Sequence, residues 1–158
     1  MEPATKKRSK PKGPFLCYAL TDASQRRSYT GITNCWERRI RQHNGDLAGG
    51  ARYTKCGTQW RPLFKVHGFA THRGVLRFEW AMKKRRAPQS RSGPAGRIRQ
   101  LEHILSFGTH YVCGGGTSGN WVECYVSRER YLHWSGLSGA QFEARRAQQG
   151  VRFKFVNG

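Results

Sequence analysis

The chain has 158 residues and carries 29 Lys and Arg against 9 acidic residues, a formal net charge of +20. A domain this basic meets a polyanion, nucleic acid before an anionic membrane surface; the lack of an apolar run of about 18 residues argues against a membrane span, and the lack of an apolar stretch behind the basic N-terminus argues against secretion. The five cysteines, at 17, 35, 56, 113 and 124, are irregularly spaced with no C-x-x-C pair, which fits reduced thiols better than a disulfide framework or a zinc site.

Residues 1–14 hold three Pro and almost no apolar content and are expected to form a disordered basic tail. Their run Lys6 to Lys12 reads as a nuclear import signal or an electrostatic arm for nucleic acid. Phe15 to Thr21 is a short apolar run, hence a strand, and Ser28 to Thr33 is a second. The polar turn between them suits a hairpin that sets Tyr18 and Tyr29 on adjacent antiparallel strands. A helix over about 35–46 follows, with Asn34 as its cap and Glu37 completing a capping box. Arg39 and His43 are four residues apart and share one helix face; Trp36, Ile40 and Leu47 mark the neighbouring apolar stripe.

Gly45 to Gly57 is a Gly-rich basic loop in which Arg52, Tyr53 and Lys55 pair charge with an aromatic ring, a mixture suited to a phosphate backbone and an unstacked base. Trp60 to Phe69 is a third strand, with Phe64 and Val66 giving it one apolar face. A second helix starts at Thr71 or His72 and runs to about Arg86, with Val75, Phe78 and Met82 as its stripe. Glu79 sits at the edge of that stripe, where a carboxylate needs a metal, a cationic partner such as Lys83 at i+4, or solvent. Lys83 to Arg99 has seven basic residues and no acidic one, with a linker over 88–96 inside it. Beyond it come a third helix over Arg97 to Phe107, a turn over Gly114 to Gly119, a strand over Trp121 to Val126, a mixed charged and aromatic segment over Arg128 to Trp134, a short helix over Ala140 to Gln149 and an edge strand over Val151 to Val156.

The order C-Y-A-L, Y-T-G, R-R-I-R-Q-H-N, G-G-A-R-Y-T, a W-x-P strand ending in H-G-F, and F-E-W resembles the GIY-YIG nuclease superfamily, in particular its Slx-type structure-specific branch. The likeness covers about Phe15 to Trp80, and its weight lies in the order and spacing of the motifs, since Y-x-G alone is weak. It implies an α+β fold: a small central antiparallel three-stranded sheet flanked by helices, with a C-terminal helix and strand extension. The domain division that goes with it is a tail over 1–14, a nuclease domain over 15–87, the linker over 88–96, and an extension over 97–158 packing on the nuclease domain. Slx-type proteins continue into a zinc-binding RING-like domain. This chain has no such Cys and His set, so the usual surface for docking a scaffold protein is not expected in it.

The resemblance also implies a site. Tyr18 matches the first-motif tyrosine and Tyr29 the second; Arg39 matches the family arginine, His43 the helix histidine and Glu79 the metal-binding glutamate, while Gly31 matches a structural glycine. Glu79 would hold one Mg²⁺ or Mn²⁺, and Arg39 would clamp the scissile phosphate. A tyrosine, Tyr18 first, would take the proton of the attacking water, with Tyr29 and His43 orienting the phosphate and that tyrosine, or His43 itself accepting the proton. Arg38, Arg41, Arg52, Tyr53, Lys55, Lys83, Lys84, Arg85 and Arg86 are the expected DNA contacts. The implied substrate is branched double-stranded DNA (four-way Holliday junctions, flaps and forks) in recombination and repair, at a nuclear or viral site of DNA replication. A homodimer would place two active sites on one junction. A homing- or restriction-type enzyme with sequence specificity, and a basic DNA-binding protein without catalysis, are the alternatives.

Overall fold

The computed structural model describes residues 14–84, 93–106 and 120–156. Its strands are β1 (Leu16–Thr21), β2 (Ser28–Thr33), β3 (Arg61–His67), β4 (Trp121–Cys124) and β5 (Arg152–Phe155). They form one sheet in the order β2-β1-β3-β4-β5, antiparallel except for the parallel β4–β5 pair. The expected three-stranded antiparallel sheet is its β2-β1-β3 part. The two strands of the C-terminal region continue that sheet, so the fold is α+β with a larger sheet than the sequence implied.

The β1–β2 hairpin closes on Asp22, whose carboxylate accepts from the Ser24 hydroxyl at 2.8 Å and from the Arg27 N–H at 3.2 Å. The first helix, α1 (Trp36–His43), is shorter than the expected 35–46 and has a different cap. Cys35, not Asn34, is the N-cap and makes no side-chain cap bond; instead the Thr33 hydroxyl accepts the Cys35 N–H at 3.0 Å. The helix stops because Asn44 turns its amide to the next strand, donating to the Trp60 carbonyl at 3.1 Å and accepting the Trp60 N–H at 2.7 Å. Leu47 therefore lies in the following loop. That loop carries a single 3₁₀ turn over Tyr53–Cys56.

Helix α2 (His72–Lys84) begins where the Thr71 hydroxyl accepts the Gly74 N–H at 3.0 Å. Helix α3 (Pro94–Ser106) starts earlier than the expected Arg97, with Pro94 in its first turn, where a missing N–H costs nothing. The mixed segment after β4 is a helix, α4 (Arg128–Ser135), capped by Ser127 and stopped by the left-handed Gly136. Helix α5 (Gly139–Gln149) has a full capping box between Ser138 and Gln141.

The sheet is covered on both faces. Cys17, Ala19, Phe64, Val66, Val122 and Cys124 bury against Val75, Phe78, Ile98, Leu101, Tyr131 and Phe142 of α2 to α5. On the other face Tyr18, Leu20 and Trp60 pack with Trp36 and Ile40 of α1. The reading of β3 as apolar on one side only is therefore corrected. Lys65 is 8% exposed, its ammonium 4.1 Å from the centroid of the Trp36 ring, because α1 roofs that side.

One buried ion pair ties three helices together. Glu102 on α3 accepts both guanidinium prongs of Arg146 on α5, at 2.8 and 2.9 Å, and also the Tyr131 hydroxyl of α4. Both charges are nearly enclosed. Removing Glu102 leaves the Arg146 guanidinium buried without its carboxylate, so Glu102→Ala is expected to lower stability by about 3–5 kcal/mol. Urea unfolding followed by tryptophan fluorescence reads that loss, and a shift below about 1 kcal/mol would show the pair to be dispensable.

Candidate active site

The register of the sheet brings the tyrosines together before any helix is added. Tyr18 pairs with Gly31, and Leu20 pairs with Tyr29, so both tyrosines project from the face that α1 covers. Tyr18 lies across Gly31. A Cβ at that glycine would stand 2.5 Å from the Tyr18 oxygen and 3.1 Å from the Tyr29 ring, so only glycine lets the two rings converge. Helix α1 then lowers Arg39 and His43 onto the same spot, as their four-residue spacing requires.

The Tyr18 oxygen is the hub. It lies 2.7 Å from His43 Nε2 and accepts from Arg39 Nε at 3.0 Å. His43 Nδ1 lies 3.0 Å from the Thr54 hydroxyl, which donates its own hydrogen to the Ala51 carbonyl at 2.8 Å. A hydroxyl has one hydrogen to give. Thr54 must therefore accept from His43, which places the imidazole hydrogen on Nδ1 and leaves Nε2 to accept from Tyr18. The chain of groups runs Arg39 to Tyr18 to His43 to Thr54 to Ala51, with a donor and an acceptor at every step.

Electrostatics keep the inner part of this chain neutral. Burial, and then the Arg39 charge, push the His43 pKa down to about 4. Burial raises the Tyr18 pKa above its ordinary value, against the opposing pull of Arg39. Arg39 itself is held charged: burial works against the cation, but the Tyr18 and Tyr29 oxygens beside it raise its pKa. At neutral pH the site is thus a phenol and a neutral imidazole under one fixed positive charge. Tyr18 is fully enclosed, whereas Tyr29 is half-buried and faces the opening.

Glu79 comes from α2 and meets the cluster by way of Lys83. Its Oε2 lies 3.6 Å from the Lys83 ammonium, and that ammonium stands 5.7 Å from the centroid of the Tyr29 ring. Among the described residues, no three His, Cys, Asp or Glu side chains stand close enough to share a metal. Glu79 is a lone, partly exposed carboxylate. One carboxylate with water and phosphate oxygens is an ordinary set for Mg²⁺, which binds few protein ligands and keeps part of its hydration. The donor set therefore fits a hard divalent cation brought in with a phosphate, and does not fit zinc.

The structure brings Tyr18, Tyr29, Arg39 and His43 into one cluster and sets Glu79 at its rim. Of the expected DNA contacts, Arg38, Arg41, Arg52, Tyr53, Lys55, Lys83 and Lys84 are exposed. Arg85, Arg86 and the basic run Lys6 to Lys12 lie outside the described residues. Sequence reasoning missed Thr54 and Trp60. Thr54 is 1% exposed and orients His43; the Trp60 indole donates to the Thr54 carbonyl at 2.8 Å and fixes it in place. The available signal was Gly50 before them: a Cβ there would lie 2.4 Å from the Gln42 carbonyl oxygen, so the loop is pressed onto the end of α1. Arg39 clasps the same loop, donating to the Gly49 carbonyl at 3.1 Å.

A family model described as the GIY-YIG catalytic domain matches residues 14–92. The chain is similar to the structure-specific endonuclease subunit SLX1 homolog of Giardia intestinalis, 47% identical over 75 residues, which is 46% of this chain and 21% of that protein. It is 42% identical over 78 residues to the structure-specific endonuclease subunit slx1 of Schizosaccharomyces japonicus, covering 48% of this chain and 28% of that one. Against the human structure-specific endonuclease subunit SLX1 it is 36% identical over 104 residues, covering 59% and 38% respectively. The chain thus spans well under half the length of these relatives.

Proposed function

The chain belongs to the GIY-YIG family, and from that premise we propose that it is a metal-dependent, structure-specific DNA endonuclease that hydrolyses phosphodiester bonds at branch points. The observation that carries this reading is the joining of Tyr18, Arg39 and His43 through one oxygen, with Tyr29 beside them and Glu79 linked to Tyr29 through Lys83, in a protein with a net charge of +20. A basic binding module needs the charge but has no use for a phenol, an imidazole and a guanidinium linked through one oxygen. The relatives' names supply the class of DNA, since each is called a structure-specific endonuclease subunit.

The residues divide the work of hydrolysis. Arg39 binds the scissile phosphate and the charge that builds on it, its fork matching phosphate oxygens. Once Arg39 turns from the phenol oxygen to the phosphate and uncovers it, Tyr18 receives the proton of the attacking water while its own proton passes along the 2.7 Å hydrogen bond to His43 Nε2. Thr54 holds His43 in the tautomer that can accept it. Tyr29, at the mouth, orients the phosphate. Glu79 would hold Mg²⁺ or Mn²⁺, which supplies Lewis-acid stabilisation to phosphate and leaving oxygen. Lys83 keeps that carboxylate charge-balanced until the metal arrives.

The substrate in this reading is branched duplex DNA at the nuclear sites of replication and repair. Several duplex arms present several phosphate backbones to one basic protein. The expected outcome is Mg²⁺-dependent cutting of four-way junctions, 5′ flaps and forks well ahead of plain duplex. Paired symmetric nicks on the junction, with a dimeric mass on that DNA, support a self-paired resolvase. Cutting at flaps by a monomer supports flap processing, with a partner protein for junctions. Equal rates on plain duplex and branched DNA would sink the structure-specific reading. No cutting of any DNA, with tight binding to all, would make the chain a binding module.

A further inference from the structure

β2 is an outer strand of the sheet, and a cleft of about 270 Å³ lies along it beside the catalytic cluster. Its walls include Ser28, Tyr29, Thr30, Tyr53, Lys83 and Arg97. Two of these residues, Tyr29 and Lys83, also stand beside His43 and Glu79, so the cleft adjoins the proposed reaction site.

Three features of the cleft call for a ligand. The Thr30 residue is 2% exposed and its hydroxyl oxygen has no hydrogen-bond partner among the described residues, an arrangement that burial alone disfavours. The Tyr53 ring is 48% exposed and lies nearly parallel to the Tyr29 ring, with 20° between their planes and 6.3 Å between centroids. An exposed tyrosine held flat by its neighbour is a platform for another ring. Two cations flank it: Lys83, and Arg97, whose Nε donates to the Ser28 hydroxyl at 3.2 Å. Arg97 comes from α3, outside residues 14–92 that match the family model.

An aromatic platform, paired cations and an unsatisfied hydroxyl are together the chemistry of a single unpaired nucleotide: base on ring, phosphate on cations, sugar or base edge on the hydroxyl. A base inside duplex is stacked and paired and offers no free face to Tyr53. We propose that the β2-edge cleft holds one unpaired nucleotide flanking the scissile phosphate, so that this chain selects flaps and forks by the unpaired nucleotide at their branch point. This rests on the endonuclease reading and gives it a physical origin for its structure selectivity.

The test uses the whole chain, without divalent metal, on a 5′-flap DNA carrying 2-aminopurine at the first unpaired nucleotide, beside the same DNA labelled within the duplex. Binding is expected to change the fluorescence of the branch nucleotide and leave that of the duplex position unaltered. Tyr53→Ala and Arg97→Ala should each remove most of the change, while Tyr53→Phe and Arg97→Lys keep it. With Mg²⁺ added, the ratio of flap to duplex cutting should fall about tenfold in Tyr53→Ala, the order of one lost base–aromatic stack. A branch signal unaltered in Tyr53→Ala, or one equal at the duplex position, overturns the proposal. Flap cutting without a Tyr53-dependent signal removes the cleft and leaves the endonuclease standing. A Tyr53-dependent signal without any cutting does the reverse.

Discussion

Glu79→Gln is expected to stop DNA cleavage and to leave DNA binding almost intact. The substitution keeps the size of the side chain and its place on α2 but removes the one carboxylate at the rim of the cluster. A neutral amide holds a hard divalent cation poorly. Lewis-acid stabilisation at phosphate is worth several kcal/mol, so the rate should fall by at least about 10³-fold. Affinity for DNA should move by less than about threefold, because it comes from the many Lys and Arg that meet phosphates and not from one acid. Gel-shift titration and single-turnover cleavage on one flap substrate separate the two effects. Cleavage within about tenfold of wild type would remove Glu79 from the reaction.

Arg39→Ala should cost nearly as much by a different route. Arg39 makes the hydrogen bond to the Tyr18 oxygen and also clasps the Gly49 carbonyl, so it both charges the site and holds its loop. Loss of one donor aimed at developing negative charge lowers turnover by about 10²–10³-fold. Arg39→Lys keeps the charge without the planar fork and should recover only a small part of that loss. A recovery to near wild-type rate by lysine would mean that charge alone is needed and that the fork geometry is not used. Circular dichroism on both variants separates lost chemistry from a loosened loop.

The candidate cluster was legible where periodicity governs it. A four-residue spacing on α1 put Arg39 and His43 on one face, and a short hairpin put Tyr18 and Tyr29 on adjacent strands; the structure joins Tyr18, Arg39 and His43 through one oxygen and sets the Tyr29 ring beside His43. Glu79 stood out because a carboxylate interrupts the edge of an apolar stripe. The contacts that escaped the sequence are those made by loops. Thr54 reaches His43 only because Gly50 lets the chain press against Gln42, and Trp60 fixes Thr54 by a side-chain bond to its carbonyl. Nothing periodic marks such contacts.

Long-range pairing was the other gap. Burial of Lys65 follows from Trp36 lying over it, and alternation along β3 cannot reveal a roof supplied by another element. The parallel pairing of β5 with β4, after two intervening helices, makes the C-terminal residues part of the same sheet as the cluster. Separately, Arg97 of α3 reaches β2, its Nε donating to the Ser28 hydroxyl at 3.2 Å. The helix over Arg128 to Ser135 had a readable start at Ser127 and a readable stop at Gly136, but its mixed charged and aromatic face hid the amphipathic pattern.

The central claim is that this cluster hydrolyses branched DNA through a metal held at Glu79. The most direct measurement is single-turnover cleavage, with and without Mg²⁺, of a labelled 5′ flap and of a plain duplex of the same sequence, by wild type and Glu79→Gln side by side. Metal-dependent incision of the flap by the wild type, with the duplex cut far more slowly and the variant inactive, is the result expected. Incision of flap and duplex alike, or incision by Glu79→Gln at the wild-type rate, would contradict it.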